Sequence, residues 1–161
     1  MTIIATRECF LDELRMWCDS QMRLAALLPR VANALAEPEI AAWLAREHAA
    51  MQADLRIAET LFVRLGVPAG ECRCAGMEGI VHEIIQLLHA ESGMYPSDCD
   101  HLLLAGVRKA FMYQIAALDG LLLETDMLES PDLHAVIQRC RDHAEDACEY
   151  LVEEARRLVL V

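Results

Sequence analysis

The chain has 161 residues and a mass of 18.0 kDa, with 55% hydrophobic and 25% charged residues, enough for one domain with a substantial core and too apolar to stay disordered. Aromatic residues make up only 5%, and Ala and Leu supply most of the apolar mass, a balance that favours helices over sheets. Fourteen Lys and Arg against 26 Asp and Glu give a net charge of −12, which argues against nucleic acid or an anionic membrane as partner. No basic segment followed by a long apolar one opens the chain, and the apolar runs fall far short of the roughly 20 residues that span a bilayer. A cytoplasmic protein is expected, in which the seven cysteines (Cys9, Cys18, Cys72, Cys74, Cys99, Cys140 and Cys148) are reduced and several are small core residues.

Four long helices and one short one are predicted. The first runs from about Thr6 to Leu28, with Phe10, Leu14, Trp17, Leu24 and Leu28 on one stripe, and Pro29 kinks or interrupts it before a helical stretch from Val31 to Leu35. The second runs from Pro38 to Leu65, with Ile40, Leu44, Met51, Ala58, Leu61 and Leu65 as its stripe, and Gly66-Val67-Pro68 stops it. A turn-rich connection over 68–74 leads to a short helix, Glu78 to Ala90, whose Ile80, Ile84, Leu87 and Leu88 face inward. The third long helix extends from about Asp98, with Ser97 or Asp98 as cap, to Leu128. It is apolar on more than one side and so needs two neighbours, inside its own bundle or across a subunit boundary. Ser130-Pro131 opens the fourth, with Ser130 as its cap and Leu133, Ile137, Cys140, Ala144, Ala147, Leu151 and Leu158 as its stripe. Similar helix lengths of about 40 Å, with one long connection from Gly66 to Ser97, describe a single-domain four-helix bundle with a crossover that carries the short helix.

Polar residues on the apolar stripes are the informative ones. Gln21 lies between Trp17 and Leu24, Glu47 and Asp54 flank Met51, Gln114 falls between Ala110 and Ala117, and His143 borders Ala144. Cys72-x-Cys74 is a candidate thiol pair for a soft metal or for redox chemistry, but no second Cys/His pair follows at zinc-site spacing. His82 and His89, with Glu78 and Gln86, read as a solvated edge; Cys18, Cys140 and Cys148 read as packing residues rather than a copper(I) store.

The stretch FLDELRMW at 10–17, then Leu24, Leu28-Pro29, Pro38-Glu39 and Leu65-Gly66, resembles the YciF-like family of bacterial ferritin-like stress proteins. The likeness continues through Cys74, Met77 and Gly79 and through Tyr113-x-Ile115-Ala116 and Gln138, covering nearly the whole chain. It implies an all-α, ferritin-like four-helix bundle with a short fifth helix in the crossover between the second and third long helices, frequent dimerisation, and a role in stress responses.

A ferritin-like dimetal site takes a Glu from each of two helices and a Glu-x-x-His pair from each of the other two. The resemblance places the ligand positions on Gln21, on Ala50 and Ala53, on Phe111 and Gln114, and on His143 and Ala144, and no Glu-x-x-His occurs on the long helices. Amides, alanines and a phenyl ring do not neutralise two divalent ions, so the dimetal ligand set is expected to be lost. Gln21 and Gln114 are expected to hydrogen-bond each other, and Glu47 and Asp54 to be half-buried or paired with Arg15, Arg46 or Arg56.

The expected protein is non-enzymatic and metal-free, needs no cofactor, and acts through protein–protein contact, as a homodimer held through the third long helix or its neighbours and with an unidentified protein partner. The alternatives are a metal-dependent oxidase or peroxide-handling protein with iron or manganese in an altered site near Glu47, Asp54 and His143, and a soft-metal or thiol-redox protein using Cys72 and Cys74.

Overall fold

The computed structural model describes residues 3–89 and 96–159, which form α1 (Ile3–Ala34), α2 (Pro38–Leu65), α3 (Ala75–His89), α4 (Pro96–Met127) and α5 (Pro131–Val159). Neighbouring long helices run antiparallel. Arg7 bonds the Leu65 carbonyl and His48 the Ala25 carbonyl across α1 and α2, while Thr125 meets His134 and Asp119 meets Arg141 across α4 and α5. The α1/α2 and α4/α5 hairpins join mainly through α1 against α4, and α3 lies on the outside of that pair. Trp17, Phe10, Phe111, Leu14, Leu24, Leu28, Leu44 and Met51 are among the side chains wholly enclosed between them, each contributing about 1.5–3 kcal/mol by leaving water. Among the described residues no helix is long and apolar enough to cross a membrane.

The predicted boundaries mostly hold. Pro38 begins α2, and Gly66 ends it with a left-handed φ of 67°, its N–H returning to the Phe62 and Val63 carbonyls. The short helix starts a turn earlier than predicted, at Ala75, because the Cys74 carbonyl already accepts from the Glu78 N–H. Of its expected inward residues only Ile84 is fully buried, joined by Met77; Ile80, Leu87 and Leu88 are half-buried. At Gly106 of α4 a methyl group would meet Ile84 Cγ1 at 2.7 Å, so α3 packs where α4 lacks a side chain. Ser130 stands at the start of α5 and its carbonyl accepts from the His134 N–H, but its hydroxyl makes no cap bond among the described residues. The side chains of Ser97 and Asp98, and the final residue of the predicted short helix, lie outside the described residues.

Pro29 does not interrupt α1, which continues to Ala34. A proline removes the N–H that would bond the carbonyl four residues back, here that of Ala25. His48 of α2 takes its place, its Nδ1–H donating to the Ala25 carbonyl at 2.7 Å while Nε2 accepts from Gln52 at 3.0 Å. A second remote anchor is Asp100 of α4, 1% exposed, whose carboxylate accepts from the backbone N–H groups of Ala36 and Glu37 at 3.1–3.2 Å. It ties the α1–α2 turn to α4 and places negative charge at the N-terminus of α2.

The Pro29–His48 relation is testable by chemical denaturation. His48→Ala should cost about 1–3 kcal/mol by orphaning the Ala25 carbonyl. In a Pro29→Ala background, where the N–H is restored, the same change should cost distinctly less. Equal costs in both backgrounds would contradict the assignment.

Candidate functional site

The antiparallel pairings bring Gln21 of α1, Glu47 and Asp54 of α2, Gln114 of α4 and His143 of α5 to one level of the bundle. The seam between α2 and α5 is unlike the others, because the two backbones approach each other sparsely and long side chains bridge them. In antiparallel order these are Glu37 with Arg157 at 3.5 Å, Trp43 stacked on Tyr150 with ring centres 4.2 Å apart, Glu47 and Asp54 with His143, and Arg64 with Asp132 at 3.0 Å.

His143 is the centre of this ladder. Its Nδ1 lies 2.7 Å from Asp54 Oδ2 and its Nε2 lies 2.7 Å from Glu47 Oε1. The first is a directed hydrogen bond; the second is a close contact of ion-pair type. The carboxylates of Asp54 and Glu47, by hydrogen bonding and by charge, raise the His143 pKa from 6.5 to about 10 against the opposing effect of burial. The ring is therefore an imidazolium at neutral pH, held between carboxylates only 7% and 8% exposed. The arginine partners expected for Glu47 and Asp54 are replaced by this histidine: Arg46 and Arg56 face solvent, and Arg15 is held by Asp12 and the Ala69 and Pro68 carbonyls. Burial is also nearly complete rather than half.

The rest of the layer offers little to a hard cation. Phe111 and Ala144 are buried, Ala50 and Ala53 are half-buried, and none carries a donor. Gln114 is 1% exposed, and neither its amide nitrogen nor its oxygen has a partner. The expected Gln21–Gln114 hydrogen bond is thus not formed. Trp17 Nε1 is also buried without a partner, so α1 and α4 each turn an unpaired polar group inward, a cost of about 1–3 kcal/mol apiece unless water reaches it. Burial, with the charge of Asp54 assisting, pushes the Cys140 thiol up to about 12, and burial with Glu59 does the same for Cys18. Among the described residues no group of three or more His, Cys, Asp or Glu side chains is arranged to hold a metal ion.

Cys72 and Cys74 have different surroundings. Cys74 is 1% exposed, its N–H donates to Asp19 Oδ2 at 2.8 Å, and its sulfur lies 3.2 Å from the Tyr113 hydroxyl. The bond to Cys74 and burial push Tyr113 up to about 12. Asp19 also accepts from Arg23 at 2.7 Å; burial works against its charge, yet the Arg23 and Cys74 hydrogen bonds and the charges of Arg23 and Arg73 hold it below the usual carboxylate range. Cys72 instead lines a crevice between α1, α2 and the crossover, together with Cys18. Asp19, Asp100 and His48 carry no sequence signal, since each bonds a backbone group far away in the chain.

His143 should make stability depend on pH in a defined direction. A group whose pKa rises on folding stabilises fully below its unfolded value of about 6.5 and loses that contribution as pH climbs through its folded value, here about 10. The denaturation midpoint should therefore fall between pH 7 and 10. His143→Gln should cost about 3 kcal/mol at pH 7 by leaving buried carboxylates without a counter-charge, and should flatten the profile. A wild-type profile that is level over this range would contradict the assignment.

The comparisons with known proteins agree with this geometry at the level of fold. The chain is similar to the E. coli stress protein YciF, with a TM-score of 0.89 and 17% identity over 99% of this chain and 98% of that one. It is also similar to YcfI of Rhodopseudomonas palustris, with a TM-score of 0.84 and 16% identity over 94% of this chain and 93% of that one. None of the curated proteins matches the sequence. The model of a family described as a domain of unknown function, DUF892, matches residues 5–160. The chain belongs to this YciF-like family, and its all-α architecture is the ferritin-like bundle.

Proposed function

We propose that the protein is a non-enzymatic member of its family, without a dimetal site at the bundle centre, that serves in the cytoplasm as a stress-associated scaffold for protein–protein contact. The observation that carries this reading is the seat of His143 between Glu47 and Asp54. A protonated imidazole has no lone pair for a metal, and its single charge already offsets one of the two carboxylates that a cation would need. The stress association is taken from the name of the structurally similar E. coli protein.

Self-association is part of the proposal. Leu102, Met112, Leu123 and Met127 of α4 are 38–68% exposed, and at 100° per residue they fall within an arc of about 80°. This stripe, interrupted by Lys109 alone, on a helix packed against α1, α3 and α5, suits a second copy of the chain. Light scattering at micromolar concentration should give the mass of a dimer, and Met112→Glu with Leu123→Glu should give a monomer. A monomeric wild-type protein would contradict this part of the reading.

One observation favours the metal-dependent oxidase reading: the three residues from which an altered site would be built do meet in space. Elemental analysis separates the two. Protein from iron-supplemented medium should hold well under one metal per chain; about two irons, the complement of a full ferritin-like site, would overturn the proposal. Metal uptake abolished by Glu47→Ala would establish the altered site instead.

A further inference from the structure

Between the first half of α4 and the last half of α5 lies a crevice of about 460 Å³, within the range of about 300–1,000 Å³ usual for small-molecule sites. Its floor is apolar, made by Leu104 and Ala105 of α4 and by Leu151, Val152, Ala155 and Val159 of α5. From Val152 to Val159 this floor extends about 10 Å along α5 at 1.5 Å per residue.

The charge on the wall selects the sign of the guest. Arg108 and Arg156 line the crevice and no acid does, in a chain whose Asp and Glu outnumber Lys and Arg 26 to 14. Among the described residues neither guanidinium has an ion-pair partner. The helix register brings the two arginines to one place. The Cys148 thiol meets the Arg108 carbonyl at 3.9 Å, so in these antiparallel helices Leu104 and Val152 share a level. Helical side chains lean toward the N-terminus of their own helix, so Arg108 leans over Leu104 and Arg156 over Val152. Arg108, Val152 and Arg156 also line a second crevice further along the same two helices. There Glu145, Glu149 and Glu153 join the wall, and their charge keeps an anion from passing beyond the arginines.

We propose that the first crevice binds one single-chain aliphatic carboxylate of medium length, its head on Arg108 and Arg156 and its chain along Val152 and Ala155 toward Val159. The guanidinium fork matches a carboxylate, and each methylene that leaves water on the floor adds about fourfold in affinity. A two-chain phospholipid exceeds the space, and the net charge of −12 opposes an anionic bilayer. None of Leu102, Met112, Leu123 and Met127 lines this crevice, so it lies beside the stripe assigned to self-association, and either can fail without the other.

The test is isothermal titration calorimetry of the full-length protein with decanoate below its micellar concentration. One molecule per chain should bind, with a Kd of about 10–100 µM, and hexanoate should bind at least about tenfold more weakly. Arg108→Gln with Arg156→Gln, both exposed positions, should weaken decanoate binding at least about tenfold. Ala155→Trp fills the floor from a partly exposed position and should abolish it, with thermal melts showing that both variants fold. Decyltrimethylammonium, with the same chain and the opposite charge, should not bind. Absence of saturable binding, full binding by the arginine double variant, or equal binding of the cationic amphiphile would overturn the proposal. So would a monomeric double variant of a dimeric wild type, which would give the crevice to a second copy, or co-sedimentation with anionic phospholipid vesicles that the double variant loses.

Discussion

Two carboxylates persist in the middle of a largely apolar bundle because the His143 ring lies between them. Glu47 and Asp54 are both nearly sealed from water, and a buried carboxylate without a counter-charge is among the most destabilising groups a core can hold. An imidazolium suits the task geometrically as well as electrostatically. Its two nitrogens face opposite ways, so one ring from α5 reaches two residues seven apart on α2. The contact also joins α2 and α5, the helix pair that approaches most sparsely. The stack of Trp43 on Tyr150 and the flanking ion pairs then extend that one contact into a seam along both helices.

The same logic of remote compensation recurs elsewhere. Asp100 takes up two N–H groups of the α1–α2 turn, Asp19 takes up that of Cys74 where the crossover meets α3, and His48 takes up the carbonyl that Pro29 leaves unbonded. Each joins a backbone irregularity to a side chain from another helix. The irregular segments are thereby fixed to the core, and Cys74 is held against Tyr113 while Cys72 is left facing the crevice.

Much of the fold was legible from local pattern. The stripes on the long helices, Pro38 and Gly66 at the ends of α2, and the long interval between α2 and α4 are properties of neighbouring residues, and they sufficed for a bundle with a crossover. Pro29 was misleading for the complementary reason: the bond it removes is replaced from α2, which no local pattern reveals. Glu47, Asp54 and His143 stood out singly because each interrupts an apolar stripe. Their mutual pairing did not, since charge alone pointed to arginines, and whether Arg46 and Arg56 turn outward depends on where α2 meets its neighbours. The two glutamines were legible as interior residues but not as an unbonded pair.

A bundle with a histidine–carboxylate ion pair in its central layer has a different interior from one that encloses two metal ions. The protonation state of one ring therefore decides between the two descriptions. Nitrogen-15 NMR of the histidine rings in the folded protein measures it directly. The account predicts that at pH 8 both nitrogens of His143 carry hydrogen and that the ring titrates only near pH 10. A neutral tautomer at pH 8, with titration near the ordinary histidine value, would contradict it.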